Sequence, residues 1–220
     1  MEVILSAAVS LDGYMDDCSP WRLKLSSAED WEAVQRLRES CDAILVGAGT
    51  VRKDNPSLVI RSEEARRRRV AGGMDADLIK VTVTATGDLD PAAAFFTEGA
   101  GRKIVFAPLA ADRGKLDRIA PYAEIVQADD ITPEFIIKEL EARGFRRLMV
   151  EGGTGMHTMF LQAGMADRLR LAMAPFFVGD TGAPRLVCGG RFPNDKDNRM
   201  VLERVEQLGD MAVMHYKLKR

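Results

Sequence analysis

The sequence predicts an α/β fold: a mostly parallel central sheet, flanking helices on both faces, and an antiparallel hairpin at the carboxyl end. Three observations point to it. Short apolar runs rich in β-branched residues recur along the chain. Amphipathic stretches with helix start and stop signals separate them, the alternation expected of parallel strands joined by helical crossovers. From Val201 to the end, two strand-like runs meet at Gly209-Asp210, a hairpin signal.

The first element is the nearly continuous apolar run over residues 2–9, a buried strand followed by a turn at Leu11-Asp12-Gly13. Ser26 and Ser27 each precede an acid by three residues, Glu29 and Asp30, so either pair suits a capping box. Trp31, Val34 and Leu37 then form one helical stripe that ends near Cys41. Asp42 to Val46 reads as a short strand running into Gly47-Ala-Gly49-Thr50, and Leu58 to Ile60 as another. Residues 62–77 read as a surface loop or short helix. Leu78–Thr84 and Lys103–Ala107 are strands. Thr132 as N-cap, Pro133 at the first helical position and Gly144 just past the end delimit a helix. Leu148–Val150 is a buried strand, and Glu151-Gly-Gly-Thr154 turns into a helix with Met156, Met159, Phe160 and Ala163 on one face, closed by Gly164. Met156 and Met159 are read there as core and His157 as an exposed position. Leu169–Ala174 is the strand before the hairpin.

Bulk properties narrow the function. With 220 residues, 46% hydrophobic and 29% charged, the chain can bury a sizeable core, and one domain over residues 1–220 is expected. A net charge of -2 supplies no positive field for nucleic acid or an anionic membrane. The opening MEVILSAAVSLDG has no basic leader, and no apolar run approaches the ~20 residues of a membrane span, so a cytoplasmic location is expected. Cys18, Cys41 and Cys188 are far apart and form no Cys-x-x-Cys pair, which argues against a disulfide framework or a zinc ribbon. With only His157 and His215, no metal site is expected and a Ser-His-Asp triad is disfavoured.

Two strand-to-glycine junctions remain as candidate chemistry: Ile44-Leu-Val-Gly-Ala-Gly-Thr50 and Met149-Val-Glu-Gly-Gly-Thr-Gly155. Glycine at the carboxyl end of a parallel strand lets backbone N–H groups approach a phosphate, and a following helix start adds partial positive charge. Neither junction is a complete Gly-x-Gly-x-x-Gly or a Walker loop, so each suits a phosphate or an ordinary tight turn. The Arg66–Arg69 run is read as solvated and balanced by Glu63 and Glu64, or else as help in holding a phosphorylated ligand.

The order of the motifs adds a resemblance. Val9-Ser-Leu-Asp-Gly13, Arg36-Leu-Arg38, Asp42-Ala-Ile-Leu-Val-Gly-Ala-Gly-Thr-Val51, Asp54-Asn-Pro-Ser-Leu58 with Arg61, Val150-Glu-Gly-Gly-Thr154, and Gly164-Met-Ala-Asp-Arg-Leu-Arg-Leu171 before Ala174-Pro175 follow one another. As a set they resemble the reductase domain of bacterial RibD proteins and the free-standing archaeal and fungal pyrimidine reductases of the riboflavin pathway. The resemblance implies a dihydrofolate-reductase-like fold and NADPH-dependent reduction of a ribosylamino-pyrimidine 5′-phosphate to its ribitylamino product. It implies cofactor-side roles for Ala8, Gly47, Gly49, Thr50, Asp54, Thr84, Gly152, Gly153, Thr154, Gly155, Met156, His157 and Thr158. Substrate-side roles fall on Arg38, Leu58, Arg61 and Glu151. No residue is assigned as catalytic, since hydride delivery needs positioning and a dry site more than a strong base. Lys24, Lys53 and the Arg66–Arg69 region are candidate partners of the NADPH 2′-phosphate.

Residue-level alternatives stay open. Arg38 suits a surface position at a helix end, and Asp54 a turn beside Asn55-Pro56. Two stretches depart from the family pattern. Arg22-Leu-Lys-Leu-Ser26 stands where the family has Trp-Ile-Ser, and Val81–Gly87 lacks the usual aspartate and serine. A reductase of the same fold acting on dihydrofolate, a pterin or another pyrimidine is therefore the alternative function, and a non-catalytic nucleotide binder a third. The resemblance also implies a homodimer. Met211, Val213, Met214, Tyr216 and Leu218 in the final segment suit an interface built from the C-terminal strands, or packing on the protein's own helices.

Overall fold

The structure, a computed structural model, describes residues 1–219. Nine strands follow the hydrogen-bonded order β5-β4-β3-β2-β6-β1-β7-β9-β8. The chain forms two compact units, Met1 with Leu37–Leu148 and Glu2–Arg36 with Met149–Arg220.

In the first unit β2 (Ala43–Gly47), β3 (Ile79–Val83), β4 (Lys103–Pro108) and β5 (Glu124–Ala128) pair in parallel in that order. Ile44, Leu45, Val81, Ile104, Val105 and Phe106 are all buried, the pattern of strands covered on both faces. The crossovers carry α2 (Ala48–Asp54), α3 (Glu63–Ala71), α4 (Ala94–Thr97), α5 (Arg113–Ile119) and α6 (Pro133–Ala142). Thr132 caps α6 as expected, its hydroxyl accepting from the Phe135 N–H at 3.2 Å.

The second unit contains β1 (Glu2–Ser10), most of α1 (Ala28–Glu39) and of β6 (Arg147–Gly152), then α7 (Thr154–Gln162), β7 (Arg168–Ala174), β8 (Val201–Leu208) and β9 (Met211–Lys217). β1 runs parallel to β7, and β9 lies antiparallel to both β7 and β8. The hairpin at Gly209-Asp210 is therefore present. Ala172, Ala174, Met211 and Val213 form one buried cluster beneath it.

Ser27 is the residue that starts α1, accepting from the Asp30 N–H at 3.1 Å. The capping box is not completed, because the Asp30 carboxylate is buried against the guanidinium of Arg170 on β7. The buried face of α1 thus includes the charged Asp30 and Arg38 with Val34, where the apolar stripe alone suggested Trp31, Val34 and Leu37.

Several expectations are corrected. Leu58 to Ile60 is not a strand. Leu58 sits at φ 52, a left-handed conformation that no ladder accommodates, and both Leu58 and Ile60 are buried as anchors of a loop. Burial of alternate residues imitated a strand. β5, α4 and α5 carry no strong signal: β5 is a half-exposed edge, and the two helices span only one or two turns.

Residues 63–71 form a helix, with Ser62 accepting from the Ala65 N–H. Its arginines are not a uniform solvated run. Arg66 pairs with the buried Asp77 at 2.8 Å, and Arg68 with Glu39 and Glu64. Arg69 is fully buried and donates to the carbonyls of Asp75 (2.9 Å), Glu39 (2.7 Å) and Cys41 (2.6 Å). It ties the end of α3 to the turn that launches β2. Replacing it leaves buried carbonyls without donors, at a cost of about 1–3 kcal/mol for each. Arg69→Ala is expected to lower the unfolding free energy by about 3 kcal/mol or more, and Arg67→Ala at the exposed position by less than ~0.5 kcal/mol, as read by urea denaturation.

Candidate active site

In the first unit the candidate residues gather along the carboxyl edge of the parallel strands. β2 ends at Gly47, which serves as the N-cap of α2 with no side-chain cap. The register pairs Gly47 with Val83, so Thr84 follows at the same edge. A Cβ added at Gly49 would meet nothing within 4 Å, so open space lies before the first turn of α2. Thr50 and Asp54 are half-buried on that helix. The Thr84 hydroxyl accepts from the Gly87 N–H at 3.0 Å and so shapes the turn leaving β3.

Leu58 and Arg61 follow α2 in the loop, Leu58 buried and Arg61 exposed. Arg38 is buried at 4% exposure, which corrects the surface reading; the last turns of α1 turn it inward.

In the second unit β6 delivers Glu151 and Gly152 to a left-handed Gly153 at φ 91, and α7 starts at Thr154. The Gly153 carbonyl accepts from the N–H groups of Met156 and His157. The first N–H groups of α7 have no partner within the helix and face its open end. A Cβ at Gly155 would meet nothing within 4 Å. Ala8 lies half-buried on β1, opposite Ala172.

The two threonines hold protein rather than open space. Thr154 Oγ1 donates to the Arg185 carbonyl at 2.6 Å. Thr158 Oγ1 donates to the Thr154 carbonyl and accepts from the Cys188 N–H. The segment 178–188 is thereby fastened to the start of α7, and its other anchors escaped the sequence reading. Arg185 stacks on the Tyr14 ring at 4.4 Å and donates to its hydroxyl at 2.9 Å. Asp12 accepts from the N–H groups of Val178 and Gly179. Desolvation pushes the Asp12 carboxyl up, but hydrogen bonds from Ser10, Gly179 and Val178 outweigh it and hold the group at about 2. The only signal in the sequence was the Leu11-Asp12-Gly13 turn, which says nothing of a partner some 165 residues away.

His157 is fully buried, not exposed on a helix face. Met156 and Met159 are only half-buried, so the inward face of α7 is centred on His157 and Phe160, rotated from the methionine stripe. Neither His157 ring nitrogen has a hydrogen-bond partner, and burial pushes its pKa down to about 4. Among the described residues no cluster of potential metal ligands exists, and no helix is long and apolar enough to cross a membrane.

Parallel ladders closed by an antiparallel hairpin, with glycine-led helix starts at strand ends in both units, define an α/β protein of reductase-like fold. Sequence comparison then gives the family: the model of the RibD C-terminal domain matches residues 1–214, and the chain belongs to that family. It is 30% identical to the 2,5-diamino-6-ribosylamino-4(3H)-pyrimidinone 5′-phosphate reductase of Archaeoglobus fulgidus, over 94% of this chain and 94% of that protein. It is 33% identical to the riboflavin biosynthesis protein RibD of Bacillus amyloliquefaciens, over 94% of this chain but 54% of that longer protein. The fold matches a pyrimidine reductase-like protein from Corynebacterium diphtheriae with a TM-score of 0.81, at 21% identity, covering 100% of this chain and 92% of the other.

The His157 environment sets a pH dependence. The folded pKa of about 4 lies below the ordinary 6.5, so the unfolded chain takes up the proton first as pH falls. The stability linked to this site is full above pH 6.5 and is lost as pH falls through the window to about 4. Wild type is expected to lose on the order of 2–3 kcal/mol more than His157→Leu across that window, as read by denaturant titration at each pH.

Proposed function

We propose that this chain is an NADPH-dependent reductase that converts a ribosylamino-pyrimidine 5′-phosphate to the ribitylamino product, working as one catalytic domain in the cytoplasm. The observation that carries the proposal is the match along 94% of a free-standing relative named for that reaction, combined with glycine-led helix starts that suit a dinucleotide. The bound nicotinamide would supply the hydride, delivered to C1′ of the opened ribose.

The chain's own work is binding, orientation and exclusion of water. Open space at Gly49 and Gly155 leaves room for phosphate oxygens at the starts of α2 and α7, so the residues present fit the cofactor. We assign Gly47, Gly49, Thr50, Asp54, Thr84 and Ala8 to the cofactor, with Gly152 to Met156 and Thr158. Within that group the hydroxyls of Thr154 and Thr158 are engaged with backbone, and the N–H groups of Thr154 and Gly155, at the first turn of α7, would meet the ligand. His157, buried and neutral, would support α7 from behind rather than touch the cofactor. Arg61, with Arg38, would take the ribose phosphate, because guanidinium meets phosphate bidentately. Glu151 would accept from pyrimidine N–H groups, and Leu58 would line the ring. Arg66, Arg68 and Arg69 are engaged within the protein, and Lys24 and Lys53 are further candidates for the 2′-phosphate.

A homodimer is part of the reading. β8 is an edge strand, and Val201, Leu202 and Val205 on it are 46%, 50% and 57% exposed. Met211, Val213 and Leu218 are buried within the chain, so β8 rather than β9 offers the apolar face. Such an edge is normally covered or charged. A dimer mass by light scattering is expected, with Val201→Glu/Val205→Glu giving a folded monomer.

The decisive assay follows NADPH oxidation with the phosphorylated pyrimidine and, separately, with dihydrofolate. Turnover with the pyrimidine alone is expected; turnover with dihydrofolate alone would move the chain to another substrate, and none with either would make it a binder. Arg61→Ala should raise KM for the pyrimidine phosphate roughly ten- to a hundredfold, the loss of about 1.5–3 kcal/mol, with little change in NADPH affinity.

Glycine in the turn can be tested without damaging the fold. Gly153 is unsuitable because φ 91 strains any side chain whatever it faces. Gly155→Val places its side chain in open space. A melting temperature within a few degrees of wild type and NADPH binding at least tenfold weaker, about 1.4 kcal/mol, are expected by fluorescence titration, with NADH weaker than NADPH in the wild type.

A further inference from the structure

Asn55 stands close to two proposed ligand positions, Asp54 and Leu58, in a stretch that by sequence suits a turn. Its backbone is left-handed, at φ 43 and ψ 53, and its N–H closes α2 on the Val51 carbonyl at 3.2 Å. Its side chain does something separate. Asn55 Oδ1 accepts from the N–H of Ala94 at 2.7 Å, the first residue of α4. The N-cap position of α4 is Ala93, which has no side chain to offer, so the cap comes from 39 residues upstream.

α4 is firmly seated. Phe95 and Phe96 are buried and meet edge to face at 4.9 Å. At the far end, the buried Lys80 Nζ donates to the carbonyls of Phe95 (3.2 Å) and Glu98 (2.6 Å). Two further contacts run along the same pair of segments. Arg52 Nη1 donates to the Asp88 carbonyl at 3.0 Å, and a Cβ at Gly99 would lie 2.7 Å from Val59 Cγ1. The stretch 52–59 is thus laid along 88–99 at three points, with Asn55 in the middle. Between Asn55 and Val59 the chain carries Leu58 at φ 52, a conformation a leucine keeps only when its surroundings over-determine it.

We propose that Asn55 is a positioning residue: by capping α4 it holds the Asp54–Arg61 segment in the one conformation that presents Leu58 and Arg61 to the substrate. The inference rests on the pyrimidine-phosphate reading given above. The residue types fit the task. Asparagine tolerates the left-handed backbone and supplies the acceptor, two demands that few side chains meet together. α4 acts as a post, and the ligand-bearing loop is pinned to it from outside the reacting atoms.

Two variants separate the roles of Asn55. Asn55→Gly keeps the left-handed backbone and removes the cap. Asn55→Asp keeps both a tolerant backbone and an acceptor. Three quantities are read: hydrogen exchange at the Ala94 amide, the rate of tryptic cleavage after the exposed Arg61, and KM and kcat for the phosphorylated pyrimidine. In Asn55→Gly we expect faster exchange at Ala94, at least fivefold faster cleavage after Arg61, and KM raised tenfold or more with kcat within about threefold. Asn55→Asp should restore all three to near wild type. Unchanged cleavage and KM in Asn55→Gly with a lost cap would overturn the proposal, as would equal defects in the two variants. Should wild type fail to turn over the pyrimidine at all, the substrate reading falls. The positioning role is then judged on exchange and cleavage alone: acceleration in Asn55→Gly but not Asn55→Asp upholds it, and no acceleration overturns it.

Discussion

Parallel pairing of buried strands is the constraint on which this structure depends. In β2 through β5, and again in β1 with β7, each strand runs in the same direction as its neighbour. Parallel neighbours cannot be joined by a tight turn, so the chain must return to the starting edge, and it does so largely through helices. Within a unit, strand ends therefore fall on a common carboxyl edge. Gly47 and Thr84 lie on that edge in one unit, and in the other Gly152 and Gly153 lie where β6 ends and α7 starts. The chemistry available to the family is a consequence of direction before it is a consequence of side chains.

Buried polar groups refine that plan. Arg69 donates to several backbone carbonyls through Nε and Nη1, Lys80 closes α4, and Asp30 pairs with Arg170. Burial, with Lys103 nearby, pushes Lys80 down to about 8, so a lysine held at the carbonyl end of a helix keeps most of its charge near neutral pH. Arg69 and Lys80 each fix a junction between a regular element and a loop, where apolar contacts give least directional control, and the Asp30–Arg170 pair ties α1 to β7. His157 differs, being buried without a partner and neutral over most of the pH range.

The loops next to the glycine junctions are held from a distance. The start of α7 is fastened by the strap from Val178 to Cys188, itself fixed by Asp12 and Tyr14. The loop after α2 is fastened to α4 through Asn55. Short-range motifs supply the glycines and charges, while residues far along the chain decide how rigidly those are presented. A site built this way is preorganised by its supports as much as by its ligating residues.

The periodic elements were legible in the sequence, because hydrophobic burial writes itself locally. Continuous apolar runs marked β1, β2, β3, β4 and β6, Thr132-Pro133 and Gly144 bounded α6, and Gly209-Asp210 placed the hairpin. The glycine junctions were legible for the same reason, and the ordered motif set pointed to the family that the chain belongs to. Features that depend on distant partners became visible only in the folded chain. Leu58 and Ile60 alternate like a strand but anchor a loop, since the left-handed Leu58 forbids a ladder. The charged look of residues 66–69 hid a fully buried Arg69, because the carbonyls that satisfy it belong to residues 39, 41 and 75. His157 looked like a surface position and lies in the core, since the face α7 turns inward is set by what packs on it and not by its methionines. Local composition fixes which residues want burial; only the assembled chain fixes which polar groups find partners there.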